Sequence, residues 1–153
     1  MYKYPSITSE MHSLWAGAML ESALNELKRS GHLTSVFGES LIVKEQQALR
    51  RLRQRPVQTF LSSYDILFRL VSLKLLERGF ALTDYQPHQA LARVCALFEE
   101  PRRVKEVIRC RHDLKYESLQ PTSLAVDALA SLTLAFATPS PFNTINHYSQ
   151  RPA

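Results

Sequence analysis

The sequence predicts an all-α protein, an up-and-down bundle of about five to six helices. Apolar residues recur at intervals of three and four through most of the chain, which is the period of an amphipathic helix. The chain has only four glycines, and its eight prolines fall mostly between apolar segments, as in helices separated by proline-containing turns. With 153 residues the chain can bury one core without disulfide or metal, so we expect a single domain over residues 6–137.

Caps, glycines and prolines set the expected helix boundaries. Thr8 or Ser9 can cap the first helix, and Gly31 can end it in a left-handed conformation. Asp84 or Gln86 can cap the fourth helix, with Pro87 in its first turn. Residues 32–38 are expected to form a loop or a short turn, and residues 138–153 a flexible tail or arm. The predicted helices cover about residues 9–30, 40–55, 57–78 and 86–98, with a fifth starting at Pro101 and a sixth at Pro121.

The third predicted helix is apolar around most of its circumference, although Arg69 and Lys74 interrupt it. A helix of this kind is buried on most sides. We interpret it as the centre of the bundle or as part of a dimer interface. Its most apolar segment, Ile66 to Leu76, is too short and too charged to span a bilayer.

Several classes of site are not indicated by the sequence. The polar and aromatic N-terminus does not resemble a signal peptide, and Cys95 and Cys110 lack a metal-ligand spacing. We interpret both as buried thiols of a cytoplasmic protein, although a disulfide between neighbouring helices stays open. The histidines show no zinc-ligand spacing, and no glycine-rich phosphate loop is present, so we expect no metal and no cofactor.

Positive charge is unevenly distributed in this chain of net charge +5. Basic clusters attract polyanions by a salt-dependent, sequence-independent term. For either cluster alone, a solvated helix face is the simpler interpretation. One cluster comprises Arg50, Arg51, Arg53 and Arg55, and the other Arg102, Arg103, Lys105, Arg109, Arg111 and Lys115.

A stripe of polar residues follows one edge of the fifth predicted helix. Lys105, Arg109, His112 and Tyr116 are three or four residues apart and therefore neighbours on a helix. If this edge lines a groove, Arg109 can hold a phosphate and His112 can exchange a proton near neutral pH. The alternative is a solvated surface on which Arg109 pairs with Asp113 or with Glu106.

Three segments resemble the HEPN superfamily, over roughly residues 55–120. In that superfamily a buried helix ends in a glycine turn, a His-containing segment opens the next helix, and a later helix bears an Arg-polar-His or Arg-Asn…Tyr motif. The corresponding segments here are SSYDILFRLVSLKLLERGF at residues 62–80, YQPHQAL at 85–91 and RCRHDLKY at 109–116.

The resemblance implies a helical bundle, often dimeric, that either cleaves RNA without metal or binds RNA or nucleotides. Such proteins act in toxin–antitoxin, CRISPR or phage-defence systems. In an active member His112 would transfer protons, while Arg109 or Arg111 would stabilise charge on the phosphate. The nuclease signature has four to six residues between an Arg and the His, and at the corresponding positions this chain has Val107, Glu106 and Lys105, of which only Lys105 could substitute for the cation. The chain therefore departs from the catalytic pattern and fits the Arg111-His112…Tyr116 form better.

The sequence thus predicts a HEPN-like, cytoplasmic and homodimeric protein that binds RNA or a nucleotide-like ligand in a defence, toxin–antitoxin or stress context. We expect no membrane association. A bundle that docks an acidic protein partner, such as an antitoxin, is the main alternative, and a metal-independent ribonuclease is the third. The candidate catalytic residues are His112, Arg109 and Arg111. The candidate ligand-binding residues are Lys105, Tyr116, His88, Arg102 and Arg103.

Overall fold

The computed structural model describes residues 9–137 of the chain, and the side chains of residues 18–137. The predicted cap Thr8, the predicted tail at residues 138–153 and the first residues of the predicted domain lie outside this range. Six helices in the described part confirm the all-α fold class. The elements are α1 (Ser9–Arg29), β1 (Leu33–Ser35), α2 (Glu39–Arg53), α3 (Phe60–Glu77), β2 (Phe80–Leu82), α4 (Pro87–Cys95), α5 (Pro101–Glu117) and α6 (Ser123–Ala137).

The central element of the bundle is α3, which packs against α2, α4, α5, α6 and β2. Its position explains why apolar residues extend around most of its circumference, since a helix with neighbours on several sides has little polar surface. The structure therefore places α3 at the bundle centre, the first of its two predicted positions. The core residues that α3 contributes are Tyr64, Ile66, Leu67, Leu70, Val71, Leu73 and Leu75.

A reciprocal cap fixes the N-terminus of α3. The Thr59 hydroxyl accepts a hydrogen bond from the Ser62 backbone N–H (3.1 Å), and Ser62 Oγ accepts one from the Thr59 N–H (2.7 Å). Thr59 itself has an extended conformation, so the helix begins at Phe60 rather than near residue 57 as predicted. Satisfying two otherwise unpaired N–H groups in this way stabilises a helix by about 0.5–2 kcal/mol.

The region between α1 and α2 differs from the prediction. Residues 32–38 were expected to form a loop or turn, but Leu33–Ser35 is a strand that pairs antiparallel with Phe80–Leu82. Leu33 is opposite Leu82, and the Thr83 N–H extends the pairing by donating to the His32 carbonyl (3.0 Å). The prediction of a loop is therefore wrong for these residues. A strand of three residues is too short to show the alternating pattern by which a strand is recognised in a sequence.

The start of α4 brings a histidine to the bundle surface. Pro87 occupies the first turn and Gln86 before it is left-handed (φ 45°), so the chain turns sharply and His88 lies in the first helical turn. The helix ends at Cys95, earlier than the predicted 98, because residues 96–99 form a turn. Phe98 then packs edge-to-face on Phe136 of α6 (ring centroids 5.0 Å).

Cys95 and Cys110 are both buried and unbonded to each other, as the simpler interpretation of the sequence held. Burial raises the pKa of the Cys95 thiol to about 12, so this thiol stays protonated at neutral pH. Among the described helices, none combines the length and the apolar character needed to cross a membrane.

Candidate functional site

An open pocket of about 680 Å³ lies where α2, α3, α4 and α5 meet. Four arginines from three regions of the chain line it, together with one histidine and one aspartate. The apolar residues of its lining come from α2 and α3. The lining residues are Ala48, Arg51, Leu52, Arg55, Asp65, Phe68, Arg69, His88 and Arg111.

Two of the arginines come from the end of α2 and the turn that follows it. Arg51 lies in the last turn of α2 and Arg55 in the turn that follows the helix, and both line the pocket. The side chain of Gln58 holds the turn, because its Nε2 donates to the carbonyls of Leu52 (3.2 Å) and Arg55 (3.3 Å). The position of Arg55 in the wall is thus fixed by local hydrogen bonds.

The pocket carries an excess of positive charge. Arg69 pairs with Glu45 (2.9 Å), whose second carboxylate oxygen is buried without a hydrogen bond. Arg51, Arg55 and Arg111 make no ion pair within residues 18–137. The carboxylate of Asp65 is the one acidic group in the lining. Three unpaired guanidinium groups against one carboxylate create a local field that favours an anionic ligand.

Aromatic rings position the pocket's histidine and its fourth arginine. The Arg111 guanidinium carbon lies 5.3 Å from the ring centroid of Tyr64, a cation–π distance. The Tyr64 hydroxyl is 2.7 Å from His88 Nδ1, and Phe68 contacts the same imidazole (centroids 5.2 Å). Residues from α3, α4 and α5 thereby hold one another in place around the pocket.

The hydrogen bond between Tyr64 and His88 determines which imidazole nitrogen carries the proton. Burial raises the pKa of the Tyr64 phenol, which therefore remains a hydroxyl. His88 Nδ1 is its hydrogen-bond partner within the described residues, so the phenol donates and neutral His88 is protonated on Nε2. His88 Nε2 makes no hydrogen bond within the described residues and is not fully buried. It is therefore a solvent-accessible N–H donor on a residue that lines the pocket.

Acidification is expected to destabilise the folded protein through His88. Burial, then the charges of Arg111 and Lys115, lower the pKa of His88 in the folded state, and Asp65 opposes them. An unfolded histidine titrates near about 6.5, so below that pH the unfolded chain binds more protons. The free energy of unfolding therefore decreases as the pH falls from about 6.5 toward the lowered folded-state pKa.

Urea denaturation of the wild type and of His88→Gln at several pH values between about 7.5 and 5.5 measures this effect. We expect the midpoint of His88→Gln to decrease less on acidification, because Gln does not titrate. A parallel decrease in both proteins would assign the acid sensitivity to other groups.

The structure separates Arg109 from the pocket. Its guanidinium binds Glu106 (2.6 Å) and Asp113, as the alternative interpretation of the α5 stripe allowed. Glu106 also accepts a hydrogen bond from Thr122 (2.7 Å), whose hydroxyl caps α6 by accepting from the Ala125 N–H. The hydrogen bonds from Arg109 and Thr122 lower the pKa of Glu106 to about 2. Arg109 is therefore neutralised by carboxylates of its own helix, and Glu106 links α5 to the start of α6.

The other α5 residues singled out in the sequence have separate environments. The imidazole of His112 contacts the ring of Tyr116 (centroids 4.8 Å), and both side chains are exposed. Lys105 is exposed at the surface of the helix. At the start of α5, Arg102 pairs with Glu100 (3.7 Å) and Arg103 with Glu99 (3.1 Å). Of the eight candidates, His88 and Arg111 are the two that the structure brings together in the pocket.

Several pocket residues were not predicted as site residues. Arg51 and Arg55 belong to a basic cluster that the sequence reveals, but nothing in the sequence links that cluster to Arg111. Tyr64 and Phe68 belong to the apolar pattern of α3, which gave no reason to separate them from the core. Asp65 and Arg69, four residues apart on the same helix, were the available signal of a polar edge.

The fold and the pocket define a class: a helical bundle with an arginine-rich recess at its surface. Within residues 18–137, no cluster of three or more His, Cys, Asp or Glu is arranged to hold a metal ion. No family model matches the chain, and no curated protein or solved structure was found to be similar to it. The likeness to the HEPN superfamily accordingly stays a resemblance.

Proposed function

We propose that this protein binds RNA or a nucleotide-like ligand by its phosphates, in the pocket between α2 and α5. The observation that carries the proposal is the convergence of Arg51, Arg55 and Arg111, none with a described carboxylate partner, around His88. Guanidinium groups donate two parallel hydrogen bonds to phosphate, and the His88 N–H adds a neutral donor. The resemblance to HEPN proteins supports the same ligand class and a defence or toxin–antitoxin context.

The arginines of α2 provide a matched test. Arg51 and Arg55 line the pocket, whereas Arg50 and Arg53, on the same stretch, do not. The double variants Arg51→Gln/Arg55→Gln and Arg50→Gln/Arg53→Gln remove equal charge. We expect Arg51→Gln/Arg55→Gln to weaken binding of a labelled single-stranded RNA by roughly three- to tenfold. The slope of log affinity against log salt is expected to decrease by about 0.7 for each phosphate that this variant no longer neutralises.

The comparison is made by fluorescence anisotropy over a series of salt concentrations. We expect the second double variant to remain close to the wild type at moderate salt. Equal reductions of affinity in both variants would mean that the ligand responds only to overall charge, and the pocket would not be the site.

Binding rather than cleavage is proposed because His112 and Arg111 have different environments. His112 is exposed and contacts Tyr116, whereas the Arg111 guanidinium lies over Tyr64 at the pocket. Incubating RNA with the protein and a chelator tests the ribonuclease alternative: cleavage that His112→Ala abolishes would replace the binding proposal. Tight stoichiometric binding of an acidic protein, without affinity for RNA, would support the other alternative.

A further inference from the structure

Tyr116 and His112 form an exposed pair of aromatic rings in the last turns of α5. The Tyr116 side chain is 65% exposed and takes no part in the core. Its ring is tilted by 46° against the imidazole of His112 at a centroid distance of 4.8 Å. His112 thus supports one part of the ring, and most of the remaining surface is open to solvent.

A cation lies beside the exposed ring. The Lys115 ammonium nitrogen is 5.9 Å from the Tyr116 ring centroid, within cation–π range. Lys115 is four residues after Arg111, so the two share an edge of α5. Arg111 lines the pocket, and the charge of Lys115, which is outside the lining, also lowers the pKa of His88. Positive charge therefore continues from the pocket to the aromatic pair.

The spacing suits two parts of one strand. Tyr116 is five residues beyond Arg111, which corresponds to about 7.5 Å along the helix axis and about 140° around it, and Lys115 and His112 lie between the two around the helix. A single strand with one phosphate at Arg111 can therefore follow the helix surface past Lys115, and a base a few nucleotides further along the strand can reach Tyr116. Exposed aromatic rings beside a cationic groove are the means by which proteins bind single strands, because every base has a face that can stack.

We propose that Tyr116, supported by His112, is a stacking platform for an unpaired base of the strand whose phosphate occupies the pocket. This inference rests on the proposed function and names its ligand as single-stranded RNA. Bases of a duplex are stacked on each other and cannot lie on an aromatic side chain. An isolated phosphate has no base and does not use the platform.

Two probes separate the platform from the pocket: an oligouridylate of about twelve nucleotides, and an abasic sugar–phosphate strand of equal length and charge. We expect Tyr116→Ala to weaken binding of the oligouridylate by about fivefold or more, the effect of removing one stacked base, and to leave the abasic strand unaffected. Tyr116→Phe keeps the ring and is expected to bind the oligouridylate like the wild type.

Phe37→Ala is the matched control, because Phe37 is a 98% exposed aromatic residue that precedes the first residue of α2, Glu39, which is about 18 Å along the helix axis from Arg51. Unchanged oligouridylate binding by Tyr116→Ala, or equal weakening for both strands, would overturn the stacking platform alone. If the wild type binds neither strand, both the stacking platform and the proposed function are overturned. Circular dichroism verifies that each variant is folded.

Discussion

Replacing Arg111 with Gln is expected to weaken single-stranded RNA binding by about ten- to a hundredfold at moderate salt. The guanidinium lies over the Tyr64 ring and is only partly exposed, so it is positioned before a ligand arrives. A hydrogen bond between charged groups in such a place is worth about 1.5–3 kcal/mol. The expected effect exceeds that of the α2 double variant because those arginines are exposed.

Arg109→Gln is the control, two residues away on the same helix. It removes the same charge, but Arg109 already binds Glu106 and Asp113 and does not line the pocket. We expect little change in RNA affinity, measured by anisotropy and confirmed by calorimetry. Comparable reductions of affinity in Arg109→Gln and Arg111→Gln would contradict the pocket, since they would show a response to net charge alone.

The second large effect concerns stability. Leu132 of α6 is 1% exposed and belongs to the core, so Leu132→Ala is expected to lower the free energy of unfolding by about 2–5 kcal/mol through reduced burial and the resulting cavity. At about 2–4 °C per kcal/mol, the melting temperature should fall by roughly 5–15 °C. Thermal denaturation followed by circular dichroism measures the change.

Leu134 lies on the same helix but is 70% exposed. Leu134→Ala removes the same atoms from an open surface, and we expect its stability to stay within about 0.5 kcal/mol of the wild type. A large destabilisation by Leu134→Ala would mean that this face of α6 is covered in solution, in contrast to its exposure in the isolated chain.

The fold class was accessible from the sequence because it depends on local patterns. Helical periodicity, prolines in first turns and terminating glycines predicted the six helices of the described residues, with boundaries in error by up to three residues. The start of α3 was missed because it depends on the reciprocal hydrogen bonds of Thr59 and Ser62. The two short strands were missed because Leu33 and Leu82 are far apart in sequence and are paired only in the tertiary structure.

The candidate site was accessible in part. The sequence identified His88 and Arg111 as polar residues on separate helices, and it identified the arginines of α2 as a cluster. It grouped Arg111 with its neighbours on α5, because spacing along a helix is the one geometric relation that a single sequence supplies. The structure instead joins Arg111 to Tyr64, His88 and the end of α2.

By itself, then, the sequence determined the helices and the excess of positive charge, and it limited α3 to the bundle centre or a dimer interface, since each of these follows from the order of residues within one segment. Only the tertiary structure decided which arginines are available to a ligand and which are neutralised. Arg109 and Arg111 differ by two positions, or about 200° around the helix, and so face different neighbours: carboxylates of α5 on one side, a tyrosine of α3 and a histidine of α4 on the other. Long-range packing fixes those neighbours, and with them the chemistry of each guanidinium group.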